Sequence, residues 1–228
     1  MPKANVTENP AYTVEGLPSQ PPFWVRGEEE EWTIKEQSYY DKVNVQPGDL
    51  VLDIGAHIGC SARWFLWRGA RHVVCYEAMP QNVEILRKNA EGLPITVDGR
   101  AITHDDDNVL TMYTPNTRFS TVYSHINKKG RTPTVVPAVK FSTVVEHFKP
   151  DVLKMDTEGG ELTLVEQFAN IHQWVRSVAM EVHYTIEGSH ERARQLMEVM
   201  AEHYDYVQAP KYLDKKWNTD IVIWERRS

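Results

Sequence analysis

The sequence has little of what membrane, secreted or nucleic-acid-binding proteins need. No apolar run approaches the roughly 20 residues that cross a bilayer, and the N-terminus lacks a basic-then-apolar leader pattern. The expectation is a cytoplasmic protein with no membrane partner. Cysteine is scarce: Cys60 and Cys75 are the only two, and they lack C-x-x-C spacing. They read as two reduced, partly buried thiols, not as a disulfide framework or a redox pair. Positive charge is in deficit, with a formal net charge of −7, which argues against a nucleic-acid partner held through its phosphate backbone. Lys128, Lys129 and Arg131 sit together but read as a solvated loop. Internal repeats are missing too, and 228 residues suit one α/β domain better than two.

What is present begins with an N-terminal arm, taken as residues 1–31, before a domain over 32–228. The arm is rich in proline and poor in aliphatics. Phe23-Trp24-Val25 is an apolar island in it, suited to docking on the domain. Residues 28–31 are an acidic run, and 32–45 read as a helix or irregular lid carrying Tyr39 and Tyr40.

The chain is organised around Asp49 to Gly59. Leu50, Val51, Leu52 and Ile54 form a short apolar run that reads as a buried strand. Gly55 and Gly59 follow, and Cys60 to Trp67 reads as a helix. A strand, a glycine turn and a helix N-terminus surround one small space, where the backbone can approach a polar ligand closely. The glycines alone would equally suit a tight turn with no ligand. The next strand, His72 to Tyr76, leads into Glu77, 18 positions past Gly59. An acid in that place accepts hydrogen bonds from ribose hydroxyls in dinucleotide-binding folds. The turn reads D-x-G-x-x-x-G, not G-x-G-x-x-G, which favours a nucleoside without a pyrophosphate.

Further elements follow from punctuation and periodicity. Pro80 opens a helix to about residue 89, with Val83, Leu86 and Ala90 as its apolar stripe. Residues 95–102 read as a third strand. Asp105-Asp106-Asp107-Asn108 reads as a hairpin turn before a strand at 109–113, not as a metal cluster. Residues 114–137 read as a long loop shaping an acceptor pocket, with Arg118, Phe119, Ser120, Tyr123 and His125. A helix at 141–148, capped by Ser142, precedes a strand at 152–155, an exit loop at 156–160 and a helix at 161–168. Strands at 175–182, 204–208 and 217–224 complete the sheet, with a helix at 191–203 capped by Ser189.

Val51-Leu52-Asp53-Ile54-Gly55-Ala56-His57-Ile58-Gly59 and Tyr76-Glu77-Ala78-Met79-Pro80 resemble the first two motifs of class I S-adenosylmethionine-dependent methyltransferases. Leu153-Lys154-Met155-Asp156-Thr157-Glu158-Gly159-Gly160-Glu161 resembles the L-K-x-D-x-E-G-x-E signature of the FkbM family within that class. The resemblance runs from about residue 45 to 225. It implies an α/β fold: a Rossmann-like sandwich on a mostly parallel seven-stranded sheet with an antiparallel last strand. It implies S-adenosyl-L-methionine as cofactor, with Asp53, Gly55, Ala56, His57, Gly59, Glu77 and Ala78 binding it. Asp98 and Ala101 would border the adenine, and Tyr40 would line the site from the N-terminal segment.

In open α/β sheets ligands bind at the carboxyl ends of the strands. That rule gathers Asp53, Glu77, Asp156, Glu158, Glu181 and His183 on one rim. Methyl transfer to a hydroxyl needs the oxygen about 3 Å from the methyl carbon and in line with the sulfur. A base should add roughly 10²–10⁴ to the rate. His183 is the first choice because its ordinary pKa lies near neutrality. Glu181 could orient it, although residues two apart on a strand share a face and both could touch substrate. Asp156 would sit near the cofactor ammonium or the acceptor, Glu158 is an alternative base, and Glu161 reads as a helix cap. A less favoured reading places Mg²⁺ or Mn²⁺ on Asp156, Glu181 and His183.

The expected activity is O-methylation of a sugar, glycan or similar small metabolite. An N-methyltransferase, a nucleic-acid methyltransferase and a non-catalytic S-adenosylmethionine-binding module are the competing classes. The absence of an N-P-P-Y-type tetrad counts against base methylation, and the oligomeric state is left open.

Overall fold

The computed structural model describes residues 7–9, 23–25, 39–115, 131–184, 188–211, 213 and 219–228. Its middle layer is a seven-stranded sheet. In chain order the strands are β1 (Thr7–Asn9), β2 (Phe23–Val25), β3 (Leu50–Ile54), β4 (His72–Tyr76), β5 (Ile95–Asp98) and β6 (Ala101–Thr103). They continue as β7 (Val109–Pro115), β8 (Arg131–Lys140), β9 (Val152–Met155), β10 (Ser177–His183), β11 (Tyr204–Gln208) and β12 (Thr219–Arg226). The helices are α1 (Cys60–Trp67), α2 (Pro80–Ala90), α3 (Phe141–Phe148) and α4 (Ser189–Ala201). The sheet order is β11-β12-β10-β9-β3-β4-β5. Strands β3, β4, β5, β9 and β10 run parallel, and β12 runs antiparallel to both of its neighbours. The expected α/β sandwich with an antiparallel last strand is therefore what the chain forms.

Side-chain alternation divides the core into two layers. Leu52, Ile54, Leu153, Met155, Val178, Met180 and Val182 face α3, α4 and the 3₁₀ turns after β9. Val51, Val73, Val152 and Ala179 face the opposite way, toward Phe65 of α1, Leu86 of α2, Tyr40 and Val43. Both layers are apolar, which is why β3 and β9 read as mostly aliphatic runs, interrupted by Asp53 and Lys154, and not as alternating ones. The apolar island docks as expected: Phe23 and Val25 pack on Ile58, Cys60 and Ile85. Asn89 fixes that strand by accepting from the Trp24 N–H at 2.6 Å and donating to the Trp24 carbonyl at 3.0 Å.

The chain departs from the expected elements in five places. The third strand ends at Asp98, and Ala101–Thr103 joins a separate three-stranded sheet, β6-β8-β7. The Asp105 turn is real, since Asp105 accepts from the Asp107 N–H and the Thr103 hydroxyl. It closes no hairpin, because β6 and β7 both pair with β8. The expected loop at 114–137 is strand at 114–115 and again from 131 onward. Arg118, Phe119, Ser120, Tyr123 and His125, like residues 26–38, Lys128 and Lys129, lie outside the described residues. The helix after the exit loop is instead two 3₁₀ segments, Gly160–Thr163 and Val165–Gln173. Lys140 and Gly188, not Ser142 and Ser189, hold the N-cap positions of α3 and α4. Cys60 and Cys75 are both buried thiols, and neither forms a disulfide among the described residues.

Candidate functional site

The sheet order reverses between β3 and β9, and ligands bind open α/β sheets in the crevice at such a switch point. Two loops meet there: the glycine turn after β3 and the exit loop after β9. Gly55 has φ +74, and a Cβ built on it would lie 1.7 Å from the Asp156 carbonyl oxygen. The two loops therefore touch through backbone, and only glycine allows it. His57 and Glu158, one in each loop, also hold left-handed backbone, with φ 50 and 55. Positive φ outside glycine is uncommon and gathers at functional turns.

Hydrogen bonds stitch the glycine turn to β4 and β5. The Gly55 and Ala56 N–H groups both donate to the Tyr76 carbonyl, and the Gly59 N–H donates to the Ala56 carbonyl. The His57 N–H donates to Glu77 at 2.9 Å. Glu77 also accepts from the Met79 N–H and from Asn82. The backbone donors of Gly55, Ala56, His57 and Gly59 are thus engaged within the protein. Burial raises the Glu77 pKa, although its three donors oppose this. The Glu77 N–H bonds the Asp98 carbonyl, and the Asp98 carboxylate is clamped by Arg100 at 2.6 and 2.9 Å. Ala78 packs against Met79 and Ala101 in a satellite core with Met112, Val136 and Ala138. Ala101 thus belongs to the second sheet, one step away from the strand that was expected to carry it.

Beneath the turn lies a charge pair. Asp53 and Lys154 are register partners on β3 and β9, so they project from the same face. Lys154 Nζ lies 3.2 Å from Asp53 Oδ1, near enough for an ion pair though not aligned as a hydrogen bond. It donates to the Gly55 carbonyl at 2.7 Å. The Ser61 hydroxyl donates to Asp53 at 2.5 Å. Burial works against the Lys154 charge, but Asp53, Tyr40 and Asp156 together raise its pKa. Tyr40 is buried over this pair, its ring 6.3 Å from Trp64 and 6.1 Å from Phe65. It packs in the core while its hydroxyl influences the Lys154 charge. Lys154 is a residue that sequence reasoning quoted without assigning it a role, yet a lysine inside a buried Val-Leu-Lys-Met strand is itself a signal.

On the other side of the crevice the β9–β10 register pairs Met155 with Met180. Asp156 and Glu181 therefore leave the sheet side by side, with Glu158 and His183 two residues further along. The His183 ring is held at both nitrogens, by Glu161 Oε1 on Nδ1 at 2.9 Å and Glu158 Oε2 by Nε2 at 3.1 Å. Glu181 Oε1 is 3.8 Å from the same Nε2. Glu161 does more than cap the 3₁₀ segment that begins at Gly160, whose N-cap Gly159 N–H it accepts from. It is fully buried and also accepts from the Thr157 hydroxyl and the His183 N–H. The carboxylate that orients the imidazole is thus Glu161, where Glu181 had been expected. Burial alone would lower the His183 pKa, but Glu161, Glu158 and Asp156 push it up to about 12. Burial raises Asp156, and burial with the Asp156 charge raises Glu181. A shallow groove lined by Arg87, Lys88, Glu91 and Ile95 lies at the opposite, amino end of the strands and shares none of these residues.

The methyltransferase FkbM domain model matches residues 53–207, more than half of the chain. Among solved structures, the chain is similar to precorrin-6y C5,15-methyltransferase from Geobacter metallireducens GS-15. Identity is 12% over 85% of this chain and 89% of that one, with a TM-score of 0.49. It is similar to magnesium protoporphyrin IX methyltransferase from Synechocystis PCC 6803, solved with bound SAM. There identity is 10% over 87% and 80% of the two chains, with a TM-score of 0.47. It is also similar to 23S rRNA methyltransferase ErmE, at 16% identity over 86% and 68%, with a TM-score of 0.49. Likenesses this distant carry no argument about acceptor or chemistry. No curated protein matches the sequence. By its family match, the chain belongs to the FkbM methyltransferases and is an S-adenosylmethionine-dependent methyltransferase.

Proposed function

We propose that the chain transfers the methyl group of S-adenosylmethionine to a hydroxyl of a sugar, glycan or similar small metabolite. The observation that carries this reading is the crowding of Asp156, Glu158 and Glu181 around His183, beside the cofactor turn. Carboxylates accept hydrogen bonds from the hydroxyls of a polyol. They also repel a phosphate backbone at the point where it would have to approach, which disfavours a nucleic-acid acceptor.

On the cofactor side, Glu77 takes the ribose hydroxyls. A carboxylate offers roughly four lone-pair sites, so its turn-holding bonds leave it able to do so. The Asp53–Gly59 turn, Asp98 and Tyr40 line the rest. On the acceptor side, both His183 nitrogens already face carboxylates, so the imidazole has no free lone pair for a hydroxyl proton. We therefore move the base role from His183 to Glu181, whose side chain is about a quarter exposed (26%) and lies 3.8 Å from His183 Nε2. The acceptor oxygen attacks the methyl carbon as the carbon–sulfur bond breaks. The hydroxyl proton passes to Glu181, and the sulfonium leaves as the neutral thioether of S-adenosylhomocysteine. Positioning does most of the work in such an in-line displacement, with the base adding its share.

The reading is tested with methyl-labelled S-adenosylmethionine and a panel of sugars, glycans, amines and RNA. Label recovered as a methyl ether on a carbohydrate or metabolite hydroxyl is the expected result. Label found only on RNA or on nitrogen would replace the acceptor class.

A further inference from the structure

We propose that Asp156, Glu158 and His183 form a binding site for one divalent first-row cation, Mn²⁺ being the best match, at the carboxyl ends of β9 and β10. One ligand atom from each of the three residues lies within 4.8 Å of the other two. A single ion with bonds of roughly 2.0–2.4 Å spans that separation.

Two further features point the same way. Asp156 Oδ1 is buried and has no hydrogen-bond partner among the described residues, a costly arrangement for a carboxylate oxygen unless a further group satisfies it. Lys154 does not satisfy it, since its ammonium is held by Asp53 and the Gly55 carbonyl. The second feature is Glu161. It accepts from Nδ1 of His183 while three other donors fix it in place. A carboxylate behind the imidazole is the usual outer support of a metal-bound histidine: it keeps the proton on Nδ1 and turns Nε2 toward the ion. The Nε2 contact to Glu158 at 3.1 Å is the one the ion would divide, replacing the Nε2 proton, which is released on binding.

The donor set chooses the metal. Two carboxylates and one imidazole suit Mn²⁺ better than Ca²⁺, which takes oxygen ligands only, and better than thiophilic ions. The set differs from the Asp156, Glu181 and His183 trio suggested by the sequence. Glu158 takes the place of Glu181, which stays free to act as the base. Bound there, the ion would supply Lewis acidity to an acceptor hydroxyl. That role rests on the methyl-transfer reading; cation binding itself does not.

The test uses the full chain, stripped with EDTA, dialysed and titrated with MnCl₂ by electron paramagnetic resonance. One saturable Mn²⁺ per chain is expected, with affinity weakened at least about tenfold in Glu158→Gln and in His183→Ala. Asp105→Asn, in the exposed turn after β6, should bind as the parent does. No saturable one-to-one binding in the parent protein overturns the site whatever the variants do, and so does equal binding in both variants. Calorimetry with S-adenosylmethionine in EDTA runs in parallel. Cofactor binding and methyl transfer that persist in EDTA, with no Mn²⁺ site, overturn the cation alone. A Mn²⁺ site in a chain that binds no S-adenosylmethionine overturns the methyl-transfer reading alone.

Discussion

Gly55→Ala should abolish cofactor binding and lower stability by several kcal/mol. Two effects combine at this position. The backbone at φ +74 is left-handed, which costs an alanine roughly 1–2 kcal/mol. The added methyl would also lie 1.7 Å from the Asp156 carbonyl oxygen. No rotamer relieves that contact, because the clashing atom is backbone. The turn after β3 and the loop after β9 must move apart, and overpacking of this kind costs about 1–3 kcal/mol or more. Against a typical domain stability of about 5–15 kcal/mol the sum is severe. Gly92→Ala separates the two effects. Gly92 has nearly the same φ, +72, but nothing lies within 4 Å of its built Cβ. Urea denaturation of both variants should show the backbone cost alone for Gly92→Ala and a markedly lower midpoint for Gly55→Ala. Equal midpoints would mean that the loops do not meet as described.

Glu181→Gln should lower turnover by roughly 10²–10⁴ and leave S-adenosylmethionine affinity unchanged. The amide has nearly the shape of the carboxylate and keeps an acceptor oxygen for Thr219, which hydrogen-bonds Glu181. It cannot take the proton of an acceptor hydroxyl. Stability should change little, since the side chain is about a quarter exposed (26%) and shares its neighbourhood with other acids. Steady-state kinetics beside calorimetry on the same variant distinguish the roles. A raised KM at unchanged kcat would make Glu181 a binding residue and pass the base role to Glu158, the alternative base expected from the sequence.

The parts of the fold that were legible in the sequence are those with local punctuation. Gly59 and Gly69 bracket α1 at Cys60–Trp67, Pro80 opens α2, and Gly92 follows its end. The apolar runs of β3, β4 and β9 matched their strands for the same reason: a central parallel strand is buried on both faces. Strand β8 was not legible because Pro133 and Pro137 interrupt it, and proline reads as loop. It tolerates them inside a small separate sheet, opposite Tyr113 and Val109. The 3₁₀ segments after β9 were read as α-helix because the apolar spacing of Val165 and Phe168 fits either.

Within the site, the rim acids were legible because each ends a predicted strand. The residues that hold them were not. Lys154 acts on Gly55, 99 positions away, and Glu161 acts on His183, 22 positions away. Strand register and loop closure create those partnerships, and no local pattern announces them. The choice of base moved for a related reason. His183 has a suitable pKa in isolation, but the fold surrounds it with carboxylates and occupies both nitrogens.

Calorimetric titration of the full chain with S-adenosylmethionine and S-adenosylhomocysteine tests the central claim most directly, because the turn, the Glu77 support and the crevice must all be right for either to bind. One-to-one binding of both, with Kd on the order of micromolar and weakened at least about tenfold in Glu77→Ala, is the predicted result. Absence of binding by either nucleoside to the folded parent protein would contradict the account, and would leave the Gly55–Gly59 stretch as a turn and nothing more.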